Sequence, residues 1–520
     1  MDLDLFLHQL HFQNDLVTPP NWEVNWDDAP LPFKIYRHLP EYALAHDVPF
    51  AIQESSFHPT PDLKTIGYFL WYVYGLSQIS QTAFPSDKGG ESTETMQSFR
   101  RFPPSGGGLY PSELYLYLKL DELPNGIYHY DVAHHRLLLL RKGHFDSYLS
   151  SALGSSSHLS SCFGAVIITT MFWKNFFKYN NFSYRLQGLD AGALIGQLLE
   201  VSKCFRFYPK VHFQFLDSAI NHLLGLEELE ESTYAVIPLS KHNIVHEEAP
   251  GECSAVELVK EIPKIKPTHY QRSQNVLPFP EIAQLHHATL LESTGLIRGL
   301  KKSEEKFEDK PKIALPKARE ITKDLAHVCQ NRYSPEMDFN GQRIDQIQLA
   351  SLLKESTDFY AYANDLDKEE NQLPRVSIYG CFYHVEGIPN GAYRYDPTSH
   401  SLLTIKEGDF RLDLQAGMSL HNVNLHQVPI CLHLVGDRTY HKAELGYRGY
   451  RIQHMEAGML LQRLLLTASA LGMNGHPLLG FDINGCDDIY ELEAAQKTTI
   501  IQIPVGFHRA KSWLVGGMHS

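Results

Sequence analysis

Residues 184–199 read YRLQGLDAGALIGQLL, and residues 450–465 read YRIQHMEAGMLLQRLL, 266 positions later (450 − 184 = 266). A self-match of this length asks for others at the same spacing, because a repeat missed at this stage miscasts the whole fold. NGIYHYDVAHHRLLLL from Asn125 pairs with NGAYRYDPTSHSLLTI from Asn390 (390 − 125 = 265), and AVIPLS around Pro238 pairs with IQIPVG around Pro504 (504 − 238 = 266). Three matches at nearly one offset divide the chain into two similar halves.

Each half carries the same series of patterns. A helix is expected in LKTIGYFLWYVYGLSQ (63–78) and in IDQIQLASLLKEST (344–357), followed by strands in ELYLYLKL (113–120) and RVSIYGCFYH (375–384). An Asn-Gly turn and a Tyr-rich alternating segment then read as a hairpin. Buried strands GAVIITTMF and VPICLHLVG precede long amphipathic helices starting at Tyr184 and Tyr450, and a last strand closes each half. The layout is α+β, with helices packed on mostly antiparallel sheets. We read residues 1–240 as a first unit, 241–320 as linker and surface segments, and 321–520 as a second, diverged unit. Two similar halves in one chain imply a covalent version of an isologous dimer, a pseudo-dimer whose shared interface could hold a site; the state in solution, monomer or higher homo-oligomer, stays open.

Composition narrows the function classes. The 520 residues are 43% hydrophobic and 20% charged, with 46 Lys and Arg against 60 Asp and Glu and a net charge of −14. Such an acidic balance argues against a surface specialised for nucleic acid or anionic lipid, so an anion site would have to be local. The N-terminal MDLDLFLHQLHFQND lacks a basic region and a cleavage site, so no secretion signal is expected, and no apolar run reaches the ~20 residues of a membrane span. Seven scattered cysteines without a CxxC suggest a reducing cytoplasm and no structural zinc, and the His-His pairs at 134 and 286 read as surface histidines.

RRFPPSGGGLYP, residues 100–111, has no counterpart in the repeat. Three glycines remove the Cβ barrier to unusual dihedrals and let main-chain N–H groups approach a ligand; Ser105 adds a hydroxyl, and Arg100 and Arg101 add charge. It is neither a phosphate-binding P-loop, since no Lys-Ser or Lys-Thr follows, nor a dinucleotide fingerprint. Taken alone the string is equally a tight turn. The second half, however, runs DLDKEENQLPRVSIYG with Pro374 aligned to Pro111 and no serine-glycine run before it. A loop kept in one half only suggests one ligand site. Unmatched features of the second half complement it: Arg332 and Ser334 in NRYSPEMDF, Gly480 in PLLGFD, and Gly506, Arg509 and Lys511 in IPVGFHRAK.

These motifs resemble the nitroreductase-like flavoproteins and, within them, the SagB-type thiazoline and oxazoline peptide dehydrogenases. PLPFKIYRHLP, RRFPPSGGGLYPSELYL, LPNGIYHYD and KYNNFSYR with LDAG carry the likeness in the first half; GYRGYRIQHMEAGMLLQRLLLTASALGM, LLGFD and IPVGF carry it in the second. The resemblance implies two tandem nitroreductase-like units with FMN at their interface. Ser105, Gly106, Gly107 and Gly108, with Arg100 and Arg101 beside them, would supply one wall; Arg332, Ser334, Gly480, Arg509 and Lys511 would supply the other. It also implies a proton-transfer role for Lys178 and Tyr179, whose places the second half fills with Glu444 and Leu445. Phe182 stands where that family commonly has arginine. Three functions remain open on this reading. The first is FMN-dependent oxidation of azolines to azoles in a ribosomally made peptide, with cyclodehydratase partners. The others are an NAD(P)H-dependent reductase of small aromatic or quinone substrates, and a flavin-binding scaffold without activity.

Overall fold

The computed structural model describes residues 1–49, 51, 61–85, 93–154, 159–242, 251–300, 310–321, 324–358, 362–367, 375–510 and 514–517. The chain forms two compact units. One comprises Asn21–Ala283, Leu290–Ile297 and Lys511–Ser520, the other Met1–Pro20, Gln284–Thr289 and Arg298–Ala510.

The expected α+β layout is observed in both. In the first unit the antiparallel sheet runs, in spatial order, Glu41–Ala43, Arg136–Lys142, Gly126–Asp131, Ser112–Leu118, Gly164–Met171, Glu231–Ser240 and Tyr208–Val211. The second unit repeats this order with Lys312–Ala314, Ser401–Glu407, Gly391–Asp396, Ser377–Phe382, Ile430–Asp437, Lys497–Gly506 and Asn474–Gly475. Even the irregularities correspond. A register shift after Ile127 in the first hairpin matches one after Ala392 in the second (392 − 127 = 265), and a shift after Ile168 matches one after Leu434 (434 − 168 = 266). Each hairpin is closed by a tyrosine and a histidine at equal hydrogen-bond length, Tyr130 Oη to His135 Nδ1 and Tyr395 Oη to His400 Nδ1, both 2.8 Å. Bulges add local twist and are specific to a register, so their recurrence ties the sequence repeat to a shared backbone.

The long helices Ser183–Phe205 and Arg448–Ala470 differ from the amphipathic expectation, being buried around nearly their whole circumference. Each crosses its unit's interior and takes polar residues in with it, among them Arg185, Gln187 and Asp190 in the first and Arg451, Gln453 and Glu456 in the second. Buried polar groups of this kind need partners, so these helices are where a functional constellation is to be sought.

Three further expectations are corrected. The first-half helix ends at Tyr74 rather than Gln78, because Gly75 is extended (φ −61°, ψ 162°) and a Cβ there would meet the Trp71 carbonyl oxygen at 2.7 Å. Strand Leu76–Pro85 follows, pairing with Thr93–Arg101 and with Leu514–Gly517. The serine-glycine loop therefore follows a strand, not a helix. The histidine pairs are split: His134 and His287 are exposed, whereas His135 and His286 are buried, His135 because it closes its hairpin. The stretch 241–320 contributes helices Ala255–Lys260 and Pro280–His287 and the edge strand Lys312–Ala314.

Candidate functional site

Pro103 and Pro104 fix the backbone entering the loop, and Ser105 is extended (φ −147°, ψ 145°). Gly107 and Gly108 then adopt left-handed conformations (φ 63° and 69°), available to glycine without the Cβ penalty. Both glycines are exposed. The loop is held from below by helix Ser183–Phe205. Ser105 Oγ donates to Asp190 Oδ2 at 2.7 Å, Gly106 N–H donates to Asp190 Oδ1 at 3.0 Å, and Tyr110 N–H returns a bond to Ser105 Oγ at 2.8 Å. A Cβ on Gly106 would lie 2.7 Å from Leu186 Cδ2, one turn before Asp190.

The other side of the loop meets the expected proton-transfer pair. A Cβ on Gly107 would collide with Tyr179 Oη and lie 2.8 Å from Lys178 Nζ, whereas at Gly108 it would meet nothing within 4 Å among the described residues. The loop thus has one face closed against Lys178 and Tyr179 and one face open. Both residues sit in the last turn of helix Phe172–Tyr179, which Asn180 ends with φ 48° and ψ −140°. The Lys178 ammonium lies 5.4 Å from the Trp26 ring centre and 4.9 Å from that of Tyr179. Burial lowers the Lys178 pKa below its ordinary 10.5, the direction a general base needs. Burial and the nearby Asp190 carboxylate push Tyr179 up to about 12, so the phenol keeps its proton. Of the two candidate bases, electrostatics favours Lys178.

Arg101 does not face the open side of the loop. It is 1% exposed, stacks its guanidinium 4.0 Å from the Tyr74 ring centre and 4.9 Å from that of Tyr110, and donates from Nη2 to Pro32 O at 2.7 Å. Its Nε and Nη1 have no hydrogen-bond partner among the described residues. Its charge falls on a buried network rather than on Lys178. Lys174 Nζ donates to Glu113 Oε1 at 2.5 Å and to Tyr110 O at 3.3 Å, while His129 Nε2 lies 3.0 Å from Glu113 Oε2. Burial pushes the Glu113 carboxyl up, but Lys174, His129 and Arg101 outweigh it and hold it well below the ordinary carboxylate range. Arg100, on the adjoining strand, donates to Gln78 Oε1 at 3.2 Å.

In the second unit, Arg332 is buried at the end of helix Leu325–Asn331 and Ser334 is half-buried. A compact polar cluster ties their segment to the end of strand Lys497–Gly506. Tyr333 N–H donates to Asn474 Oδ1 at 3.1 Å, Tyr333 Oη donates to Arg509 O at 2.9 Å, and Asn474 Nδ2 lies 3.0 Å from His508 Nε2. Arg509 N–H donates to Asp338 O at 2.8 Å, and the arginine itself is exposed. The Gly480 carbonyl accepts from Ser419 N–H at 3.0 Å. Lys511 falls outside the described residues, as does Pro374 with the stretch aligned to the loop.

Sequence reasoning overlooked Asp190, and the repeat held its signal. Position 456 (190 + 266) is again an acid. Glu456 binds Arg375 through two nitrogens, with Nε 2.8 Å from Oε1 and Nη2 2.5 Å from Oε1, and accepts from Tyr362 Oη at 3.2 Å. Glu444 is exposed and Leu445 buried, so the second unit has no counterpart of the Lys-Tyr pair. Tyr333, Asn474 and His508 were also missed; nothing in their spacing marks them.

The residues present fit a flavin mononucleotide in kind. An open glycine backbone could approach a planar ring, and, in the second unit taken by itself, the exposed Arg509 is a side chain of the kind that pairs with a phosphate. Among the described residues, no His, Cys, Asp or Glu group is placed to hold a metal ion, and no helix is long and apolar enough to cross a membrane.

Residues 351–507 match the nitroreductase family. A protein of Methanocaldococcus jannaschii named as a nitroreductase is 29% identical over 136 residues, 25% of this chain and 64% of its own length. The trifolitoxin-processing protein TfxB of Rhizobium leguminosarum bv. trifolii is 28% identical over 161 residues, 29% of this chain and 43% of its own. The chain thus spans less than two thirds of either relative. A crystal structure from Anabaena variabilis, described as a nitroreductase, superposes with a TM-score of 0.74 at 22% identity, covering 98% of this chain and 99% of that one. The fold is therefore that of a nitroreductase along the whole chain.

Proposed function

We propose, from a nitroreductase fold with one surviving serine-glycine loop, that this chain is an FMN-dependent oxidoreductase that oxidises azoline rings to azoles in a ribosomally made peptide. The observation that carries the reading is the closure of that loop onto Lys178 and Tyr179, with the lysine's basicity lowered by burial. The likeness to TfxB, a protein named for processing trifolitoxin, favours a peptide substrate over a small aromatic one.

On this reading Gly106, Gly107 and Gly108 would hold the flavin from the first unit, and Arg332, Ser334, Gly480 and Arg509 are the second unit's candidates for binding the cofactor. Bound FMN would supply the hydride acceptor for an oxidation. Lys178 Nζ, in its neutral form, takes the proton from the azoline ring carbon. Tyr179 Oη stays protonated and orients the ring heteroatom by donating a hydrogen bond. Trp26 and the Tyr179 ring cover the lysine and limit its hydration, which keeps the neutral amine accessible. Cyclodehydratase partners that make the azoline would supply the substrate.

The test is incubation of the FMN-loaded chain with an azoline-bearing peptide under air. The expected product has lost one hydrogen molecule per ring by mass spectrometry. An unchanged azoline, together with rapid bleaching of the flavin by NAD(P)H, would replace this reading with a reductase of small aromatic or quinone substrates.

A further inference from the structure

The long central helices carry an acid at one repeat position, and the two units spend it differently. In the first, the two oxygens of Asp190 take the Ser105 hydroxyl and the Gly106 N–H separately, at 2.7 and 3.0 Å. Ser105 Oγ in turn accepts Tyr110 N–H, so one carboxylate fixes both ends of the glycine turn. In the second, Glu456 is 2% exposed and is taken up by the Arg375 guanidinium, which also pairs with Asp367. Arg375 immediately follows the stretch aligned with the serine-glycine loop.

We propose that Asp190 is the positioning residue of the flavin loop, holding Gly107 against Lys178 and Tyr179, and that the Glu456–Arg375 ion pair is its counterpart, committing the second unit to structure alone. The proposal rests on the FMN reading for its consequence, though not for the anchoring itself. Two donors aimed at two different oxygens require a carboxylate. An asparagine presents one oxygen and one N–H₂, so Asp190→Asn leaves either Ser105 or Gly106 without an acceptor. The same change replaces a buried acid with a neutral amide and so does not undermine the surrounding core.

The anchoring is tested without cofactor, by amide hydrogen exchange on the apo chain at pH 8. In Asp190→Asn, exchange at Gly106 and Tyr110 should rise about tenfold, the worth of one hydrogen bond to a charged group, with the melting temperature no lower than the parent's. Unchanged protection at both amides overturns the proposal whether or not the parent takes FMN. With cofactor, fluorescence titration should show FMN bound about tenfold more weakly by Asp190→Asn. Glu456→Gln should lower the melting temperature while leaving FMN affinity within about twofold, since the carboxylate it removes is bound by Arg375 and Tyr362 and not by the glycine loop. Equal FMN affinity in the parent and Asp190→Asn, or a tenfold loss in Glu456→Gln, also overturns it. A parent that binds no FMN refutes the functional reading, while the exchange result still decides the anchoring.

Discussion

Lys178 is a lysine whose charge is disfavoured by burial and whose reach ends at a glycine. Replacing it with alanine should cost at least about a hundredfold in azoline turnover, the usual loss for a general base, with FMN affinity nearly unchanged. The parent's rate should rise with pH to a midpoint below lysine's ordinary 10.5, and that limb should vanish in Lys178→Ala. Gly107→Ala tests the same contact from the loop side. A Cβ at φ 63° is strained by about 1–2 kcal/mol and must displace the Lys178 amine, so turnover should fall about tenfold or more. Asp190 adds a stability signature. Burial raises its folded pKa to about 7 from an ordinary 3.8, so between those values the folded chain holds a proton that the unfolded chain has released. Its stabilisation is full below the lower value and lost as pH rises through the upper one. Urea melts should show parent stability falling on the order of 3 kcal/mol more than that of Asp190→Asn between pH 4 and 8. Lys178, Tyr179 and the glycines were legible as residues, since a motif carries them. Asp190 was not, because an acid within an apolar helix declares its role only when the facing loop is known.

At the level of elements, the repeat made the succession of strands and helices along each half readable, and the recurrence of both bulges shows how closely the two sheets follow one plan. What escaped was the hairpin Leu76–Pro85 and Thr93–Arg101, because the apolar helix pattern runs into the first strand and only the extended Gly75 separates them. Periodicity also mistook two central helices for amphipathic ones, since their buried polar residues look like a solvent face until the opposite wall is seen. The sheets differ most in their interiors. Strand Ser112–Leu118 buries Glu113 against Lys174 and His129, where the second sheet buries His433 with Tyr490 and Gln502. Glu113→Ala would strand the Lys174 ammonium in the core and should destabilise the first unit by about 3–5 kcal/mol in urea melts. His433 is already held neutral, burial pulling its pKa down to about 4.

Over the whole molecule, a nitroreductase fold and a twofold sequence repeat could in principle serve two cofactors. The asymmetry of the side chains argues for one. The first half keeps the glycine loop, its anchor Asp190 and the Lys-Tyr pair; the second puts Glu444 and Leu445 in the pair's places and closes Glu456 with Arg375. That asymmetry was legible from sequence because one half served as a control for the other, whereas the substrate was not, since ring chemistry leaves no spacing in the chain. Flavin titration of the purified 520-residue chain, with bound FMN counted against protein by absorbance, is the direct test of a single site. One FMN per chain is expected, lost or weakened by changes in the Ser105–Gly108 loop; two per chain, or none, would overturn the single-site reading.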